Sequence, residues 1–222
     1  RPYLNRKINT EDLKSMLAKI PAKLKELFLE EFKSGIFKKG KNKLIYTVAE
    51  EFLHSFIKKE IILISEGNEI YIKGLEKELK TEICIEEIDF AVKLNGNADR
   101  VDKLNGQLRI IDYKTGKVEL SELQTDDMEK LIREKKFHKG FQLYLYAYMY
   151  QQMYPEQELL EAGIVSLRSL KKGFLPAGFN EDGKVNKLLN SDLLGDFEKE
   201  FKDLLKEIFN PNIPFEHKNR KE

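Results

Sequence analysis

Apolar side chains recur at helical spacing in the first third of the chain and alternate with polar ones further on. The first pattern predicts a helix over residues 9–35, ended by Gly35, in which Pro21 marks a break or the first turn of a second helix. A further helix is predicted over residues 41–65. The N-terminal part of the protein is therefore expected to be helical.

The rest of the chain mixes both patterns and contains no internal repeat. The predicted elements are strands over residues 70–73, 75–87, 88–94 and 162–170, a hairpin around residue 105, a helix capped by Ser121, and helices over residues 138–153 and 193–209. The predicted elements follow the order helices, antiparallel strands, helix, strand and helix. This order indicates an α+β fold or a three-layer α/β/α fold.

Composition excludes several classes of protein. The chain has 222 residues, a formal net charge of +1 and one cysteine, Cys84. Near-neutral charge excludes a uniformly basic DNA-binding protein, so contacts with nucleic acid must come from local lysine clusters. Cys84 lies among alternating apolar residues, which predicts a buried thiol, and it cannot form a disulfide within the chain. No apolar run reaches the roughly 20 residues that span a membrane and no signal peptide is visible, so we expect a cytoplasmic protein without a membrane partner.

The hairpin carries the most informative charged residues. Its Asn-Gly pair at residues 105–106 is the preferred pair for a two-residue type I′ turn. Counting back from this turn places Asp99 opposite Asp112, with Cβ atoms roughly 4.5–5.5 Å apart. Lys114 points the same way as Asp112 because side chains alternate along a strand. Two carboxylates this close repel unless a cation or a shared proton lies between them, so the pattern predicts a divalent metal site suited to phosphodiester hydrolysis.

An alternative is that these charges form only the solvated face of the hairpin, as charged hairpin residues usually do. The apolar residues beside them favour the metal site, since acids are rarely buried without a partner. The same register places Asp102 opposite Arg109 on the other face, as a structural ion pair worth on the order of 0–1 kcal/mol if exposed. A β-bulge in the hairpin would shift the register and remove both pairs.

Three motifs follow one another along the chain: Gly96-x-x-Asp99-Arg-Val-Asp, Asp112-Tyr-Lys114-Thr-Gly and Gln142-x-x-x-Tyr146. In this ordered set the chain resembles the PD-(D/E)XK nuclease superfamily, and within it the nuclease domains of RecB-type and AddB-type helicase–nucleases. The likeness is strongest over roughly residues 75–170. It implies a restriction-endonuclease-like three-layer core, with a central mixed sheet flanked by helices and an N-terminal helical extension.

The resemblance also implies a role for each matching residue of the hairpin. Asp99 and Asp112 match the metal ligands, and the backbone carbonyl of Tyr113 matches a further ligand. Lys114 matches the lysine that positions or activates the attacking water and offsets charge on the phosphate. Oxygen ligands of this kind imply Mg²⁺ or Mn²⁺ as the cofactor.

Other positions match the superfamily less completely. Gln142 and Tyr146 match helix residues that support the site and contact DNA. An upstream glutamate often belongs to such sites; Glu78 and Glu82 are the candidates, and each is equally well a solvated strand residue. Related proteins often carry an iron–sulfur cluster on four cysteines, which this chain cannot hold because it has one cysteine.

Basic residues near the predicted site are candidates for contacts with DNA phosphates, although such runs are usually only a solvated face. The candidates before the Gln142 helix are Lys136 and Lys139, together with Lys130, Arg133, Lys135 and His138. Those after the later strand are Arg168, Lys171 and Lys172. The lysines between residues 33 and 43 are a further candidate group.

These inferences predict a Mg²⁺-dependent deoxyribonuclease that acts as an exonuclease domain in a helicase–nuclease complex for double-strand-break repair and recombination. The chain lacks an ATP-binding G-x-x-x-x-G-K-[ST] loop, so a helicase motor would belong to other parts of the parent chain or to a partner subunit. One alternative is a catalytically incomplete module that binds DNA or serves as a scaffold in such a complex. Another is a different nuclease of the superfamily, such as a phage recombination exonuclease.

Three regions are expected along the chain. Residues 1–66 are predicted to form a helical segment that packs on the core, residues 67–210 the nuclease core, and residues 211–222 a polar tail.

Overall fold

The computed structural model describes residues 2–31 and 39–215. The strands are β1 (Arg6–Ile8), β2 (Ile70–Ile83), β3 (Val92–Leu104), β4 (Gln107–Lys114), β5 (Gln124–Thr125), β6 (Glu161–Ser166), β7 (Phe174–Pro176), β8 (Gly178–Glu181) and β9 (Lys184–Asn186). The helices are α1 (Thr10–Glu31), α2 (Gly40–Ser65), α3 (Met128–Arg133), α4 (His138–Met153) and α5 (Ser191–Phe209).

Six strands form a central mixed sheet in the order β1-β2-β3-β4-β6-β7. Neighbouring strands are antiparallel except β4 and β6, which are parallel and joined by the segment that contains α4. α4 and α5 pack in the main hydrophobic core, while α1 and α2 pack in a second cluster around Ile57, Ile70 and Ile72. The predicted α/β core with a central sheet flanked by helices is confirmed. A separate small sheet of β5, β8 and β9 was not predicted.

The hairpin of β3 and β4 has the predicted turn and register. Asn105 and Gly106 both have positive φ angles, 50° and 88°, as a type I′ turn requires. Strand pairing then places Leu104 opposite Gln107 and continues to Arg100 opposite Ile111. A register shift does occur in the sheet, but it lies between β2 and β3, near residue 73. The β3–β4 register from which the metal site was predicted is therefore undisturbed as far as the last of these pairs.

Pro21 lies inside α1, which continues through it without a break, so the predicted helix boundary is wrong. A proline in a helix interior removes one hydrogen bond, and tertiary contacts offset that loss here. The Tyr46 hydroxyl on α2 donates to the Pro21 carbonyl at 3.3 Å, and the Phe28 ring meets the Tyr46 ring edge-on at 5.3 Å. The predicted helix end at Gly35 lies outside the described residues.

The helix predicted to begin at Ser121 begins later. Ser121 belongs to a short 3₁₀ turn that is closed by a capping box between Glu119 and Glu122. The helix itself is α3, capped by Asp127, whose side chain accepts a hydrogen bond from the Lys130 N–H at 3.1 Å. Aspartate is as good an N-cap as serine, and the helix begins after Asp127 rather than after Ser121.

Two further predictions, the end of one strand and the burial of Cys84, are also wrong. The strand predicted over residues 162–170 ends at Ser166, and the chain then turns through 3₁₀ geometry. Cys84 is exposed rather than buried. It lies between buried Ile83 and Ile85, so alternation sends its side chain to the opposite side.

The N-terminal residues contribute to the sheet as well as to helices, because β1 pairs with β2. The predicted boundaries at residues 66 and 210 stay a prediction; residues 211–215 are exposed and 216–222 lie outside the described part of the chain. Within the described residues, no helix combines the length and apolar character needed to cross a membrane. The cytoplasmic location stays a prediction.

Candidate active site

Adjacent strands bring Asp99, Asp112 and Lys114 together at the end of the β3–β4 ladder. The last paired residues of the ladder are Arg100 and Ile111, one step before the two acids. Beyond that step, a side chain joins the two strands: Oδ2 of Asp99 accepts a hydrogen bond of 2.6 Å from the Tyr113 N–H. Asp99 is thereby fixed against the strand that carries the second acid.

Asp112 is a buried carboxylate with an incomplete set of partners; its exposed fraction is 4%. Its Oδ1 accepts a hydrogen bond from Lys114 Nζ at 3.1 Å. Its Oδ2 lies 2.9 Å from the same ammonium group but makes no hydrogen bond with any described residue. Burial raises the pKa of Asp112, Lys114 opposes this rise and Asp99 adds to it. The site therefore disfavours the negative charge that a metal ligand carries.

α4 supplies the third side of the site. Gln142 and Tyr146 lie one helical turn apart and share a face of α4. The Oε1 atom of Gln142 accepts from Lys114 Nζ at 3.2 Å, and its Nε2 donates to the Tyr146 hydroxyl at 2.8 Å. A continuous chain of contacts thus runs from Asp112 through Lys114 and Gln142 to Tyr146.

The oxygen atoms at this point fit a hard divalent cation. Asp99 and Asp112 provide carboxylates, and the backbone carbonyl of Tyr113 lies between Asp112 and Lys114 in the chain. Oδ2 of Asp112 is in ion-pair contact with Lys114 but makes no hydrogen bond with any described residue. Mg²⁺ is commonly held by one or two carboxylates together with water and phosphate oxygens. Among the described residues, no group of three His, Cys, Asp or Glu side chains is placed to hold a metal. The donor set is therefore limited to two carboxylates and the main chain.

Comparison with known protein families gives one match. A family model described as the PD-(D/E)XK nuclease superfamily matches residues 8–220. The chain belongs to this superfamily. No curated protein and no solved structure matches it significantly. Membership of a nuclease superfamily implies metal-dependent hydrolysis of phosphodiester bonds, with DNA as the substrate.

Within this nuclease fold, Glu78 and Glu82 lie away from the two acids. Glu78 is exposed and pairs with Lys80 at 2.6 Å, and Glu82 is exposed as well. The residue after Glu78, Leu79, is buried in the main core, so alternation sends Glu78 to the other face of β2. No contact among the described residues joins either glutamate to Asp112.

Three of the six basic residues in the run that leads into α4, Lys130, Arg133 and Lys139, pair with described acids. Lys139 contacts Glu122 at 2.6 Å, and Arg133 contacts Glu207 at 2.6 Å. Lys136 is exposed and lies over the Phe137 ring at 4.7 Å. Of the predicted phosphate contacts in this run, Lys136 is therefore the more accessible and Lys139 the more committed to a protein partner.

The second basic group lies where the chain leaves β6. Lys172 pairs with Glu119 at 2.6 Å, whereas Arg168 and Lys171 are exposed and form no ion pair with any described acid. Hydrogen bonds from Lys117 and, to a smaller extent, from Lys172 lower the pKa of Glu119 to about 2. In the lysine group between residues 33 and 43, positions 33–38 lie outside the described residues, and Lys39, Lys41 and Lys43 are exposed.

The opposite face of the same hairpin holds a buried ion network. Arg109 donates twice to Asp102, from Nε and Nη2, each at 2.9 Å. Arg100 lies 2.6 Å from Asp102 and donates to Glu60 of α2 at 2.7 Å. Burial works to lower the pKa of Arg100, but the nearby negative charges outweigh it and raise that pKa above its usual range. The Asp102–Arg109 pair predicted from the register is present, but it is buried rather than exposed.

Sequence reasoning missed two members of this network, Arg100 and Glu60. The signal for Arg100 was available, since it lies two residues before Asp102 and side chains two apart in a strand share a face. No local signal pointed to Glu60, which lies 40 residues away on a helix.

Proposed function

We propose that this protein is a Mg²⁺- or Mn²⁺-dependent DNA exonuclease domain. The observation that carries the proposal is the buried Asp112 carboxylate, whose Oδ2 has no hydrogen-bonding partner although Asp99 and Lys114 lie beside it. Burial and the neighbouring Asp99 charge disfavour this carboxylate even with Lys114 beside it, and a divalent cation would compensate the remaining charge. Such a carboxylate does little to stabilise the folded protein and is suited to binding a cation.

Each residue of the site would have a distinct task. Asp99, Asp112 and the Tyr113 carbonyl would hold the divalent ion, which when bound polarises the phosphoryl oxygen and lowers the pKa of a water ligand. Lys114 would position the attacking water and offset charge that develops on the phosphate. Gln142 accepts a hydrogen bond from Lys114 and so restricts where the ammonium group can lie.

DNA would be held near the site by basic groups without acidic partners. Arg168 and Lys171 meet this condition within the described residues, and Lys136 is exposed. Contacts to phosphates do not depend on sequence and weaken as salt rises. Lys139 stays in the proposal as a residue that would have to leave Glu122 to reach DNA. Glu78 and Glu82 stay candidates for an upstream acid that would approach only in a complex with DNA.

The biological setting is proposed from the resemblance. The motifs at Asp99, at Asp112 and Lys114, and at Gln142 and Tyr146 resemble those of RecB-type and AddB-type nuclease domains. In this protein Gln142 and Tyr146 are also hydrogen-bonded to each other. On that ground the domain would belong to a helicase–nuclease complex in double-strand-break repair and recombination, with a helicase as partner subunit or neighbouring domain.

A second candidate is a catalytically incomplete module that binds DNA or a partner subunit. One observation favours it: the described residues hold no third side-chain ligand of the His, Cys, Asp or Glu type at the metal site. In this candidate, Asp99 and Asp112 would be the remains of a site that no longer turns over.

The test is degradation of linear single-stranded and double-stranded DNA with Mg²⁺ or Mn²⁺, comparing the wild type with Lys114→Ala. Cleavage that needs both the metal and Lys114 would support the nuclease. Resistance of circular DNA under the same conditions would show that free ends are needed, as for an exonuclease. Lys184→Ala is the matched control, because Lys184 is an exposed lysine on β9.

The same preparation separates the two candidates. DNA binding and Mn²⁺ binding without cleavage would favour the incomplete module. Cleavage that persists in Lys114→Ala, or without metal, would overturn the assignment of the site.

A further inference from the structure

Gly96 of β3 lies directly beneath the ring of Tyr146. A Cβ atom placed on Gly96 would lie 2.9 Å from Cε1 of Tyr146 and 3.3 Å from its Cδ1. The first of these distances is shorter than real side chains allow. A glycine at this position therefore leaves the space that the Tyr146 ring occupies.

The backbone gives no other reason for glycine at this position. Gly96 is not among the glycines with a positive φ angle, and it pairs with Leu79 as an ordinary strand residue. Alanine could adopt the same backbone without strain. What an added methyl group would change is the contact with Tyr146.

The ring has limited freedom to yield. Tyr146 is half-buried and packs against the main core, and Met149, one turn further along α4, would also lie 3.6 Å from a Cβ atom on Gly96. A methyl group on Gly96 would therefore push the ring along the helix or lift α4 from the sheet.

Movement of the ring would reach Lys114 through two hydrogen bonds. The Tyr146 hydroxyl accepts from Nε2 of Gln142 at 2.8 Å, which leaves Oε1 of the same amide facing Lys114 at 3.2 Å. An amide that loses the hydroxyl can rotate and present its NH₂ group to the ammonium group, which repels it.

We propose that Gly96 is a positioning residue that seats Tyr146 and, through Tyr146 and Gln142, sets the place of Lys114 at the metal site. This inference rests on the proposed nuclease function. It adds a residue that touches neither metal nor substrate and assigns its effect to the volume of a single missing methyl group.

The first test is an amide spectrum of the Gln142 side chain by ¹⁵N NMR, assigned by its loss in Gln142→Glu. Gly96→Ala is expected to move this signal towards its position in Tyr146→Phe, which keeps the ring but lacks the accepting hydroxyl. The control is Gly195→Ala, since a Cβ on Gly195 meets nothing within 4 Å. An unchanged Gln142 signal in folded Gly96→Ala would overturn the proposal.

The second test is a double-mutant cycle on cleavage. Gly96→Ala is expected to lower kcat by about 10- to 100-fold, with a smaller change in KM, because the reacting groups are misplaced rather than removed. In a Tyr146→Ala background the same substitution should change kcat by less than about two-fold, since the clash is gone. Equal effects in both backgrounds would show that Gly96 does not act through Tyr146.

Folding and function are kept apart by the choice of variants. Should Gly96→Ala not fold, Gly96→Ala/Tyr146→Ala has room for the methyl group: a folded double variant supports the contact, and one that also fails to fold overturns it. The NMR test needs no cleavage. A shifted Gln142 signal in a protein that does not cut DNA would support the contact between Gly96 and Tyr146 while overturning the proposed function.

Discussion

The β3–β4 hairpin carries charged residues on both of its faces, and the two groups balance their charges to different degrees. On the face towards α2, Asp102 is fully buried and lies between two arginines, one of which also binds Glu60. On the face towards α4, Asp112 is buried to a similar extent, but among the described residues it has only Lys114 as a positive neighbour. One Asp112 oxygen lacks a hydrogen bond, and so do Nε and Nη2 of Arg100 on the other face, so the two faces differ in their balance of charge and not in the completeness of their hydrogen bonds.

The difference distinguishes a structural ion network from a candidate binding site. Two acids and two arginines balance on the α2 face, so the charges there give no reason for an added ion. On the α4 face two acids meet one lysine, and the pKa of Asp112 is raised by its burial. Groups whose charge is left poorly compensated are typical of sites that bind or react. Asp102 and Asp112 are thus both buried, but their roles differ because the charges around them differ.

The largest expected effect is on activity, in Asp112→Asn. This substitution removes a proposed metal ligand and is expected to abolish cleavage, while the melting temperature without metal stays equal to or above that of the wild type, because a poorly compensated charge is removed. Gel assays and circular dichroism would measure the two quantities. Undiminished cleavage would contradict the role given to Asp112.

Asp102→Asn is expected to show the reverse pattern. Removing this charge leaves Arg100 and Arg109 buried with one acid, which is expected to cost about 3–5 kcal/mol in the free energy of unfolding. Cleavage per folded molecule should stay near that of the wild type, since Asp102 is on the other face. Urea denaturation gives the stability, and a loss of cleavage as deep as in Asp112→Asn would show that the two faces are not independent.

A smaller effect is expected when Mn²⁺ is added to the wild type. A ligand that binds only the folded state stabilises it by about 2.7 kcal/mol at one hundred times its dissociation constant. Melting curves with and without Mn²⁺ should therefore separate for the wild type and for Asp102→Asn, but coincide for Asp112→Asn. A shift that survives in Asp112→Asn would place the bound ion elsewhere.

The smallest effect concerns pH in the absence of metal. Because folding raises the pKa of Asp112, the folded protein binds a proton at this carboxylate more tightly than the unfolded chain does. Loss of this proton at neutral pH therefore lowers the free energy of unfolding. The stability advantage of Asp112→Asn should therefore be largest at neutral pH and disappear as the pH falls below the ordinary pKa of aspartate. Urea titrations of both proteins across that range test this, and an advantage that grows on acidification would contradict it.

The hairpin shows how far sequence reasoning can reach. Its turn and register follow from the Asn-Gly pair and the two-residue period of a strand, which are local rules. The shared face of Gln142 and Tyr146 follows in the same way from the period of a helix. The meeting of the two acids with Lys114 could be predicted for this reason, since all three lie within one hairpin.

Contacts between distant elements could not be predicted in this way. Glu60 reaches Arg100 only because α2 lies against the sheet, and no pattern within either element fixes that placement. Lys139 was singled out as a DNA contact from its position in a basic run, yet it pairs with Glu122. The absence of a side chain at Gly96 matters only through a ring on α4. Each of these depends on how elements pack rather than on their own sequences.

The mixed pairing of β4 also bears on the order in which the protein folds. Its antiparallel partner β3 is joined to it by a two-residue turn, whereas its parallel partner β6 follows only after α3 and α4. Contacts close in sequence form sooner because less chain entropy is lost in closing them. We therefore expect amides of β3 and β4 to gain protection in pulsed hydrogen exchange before those of β6. During refolding the two acids would then come together while Gln142 is still unplaced, so that divalent ions would be able to speed the early steps.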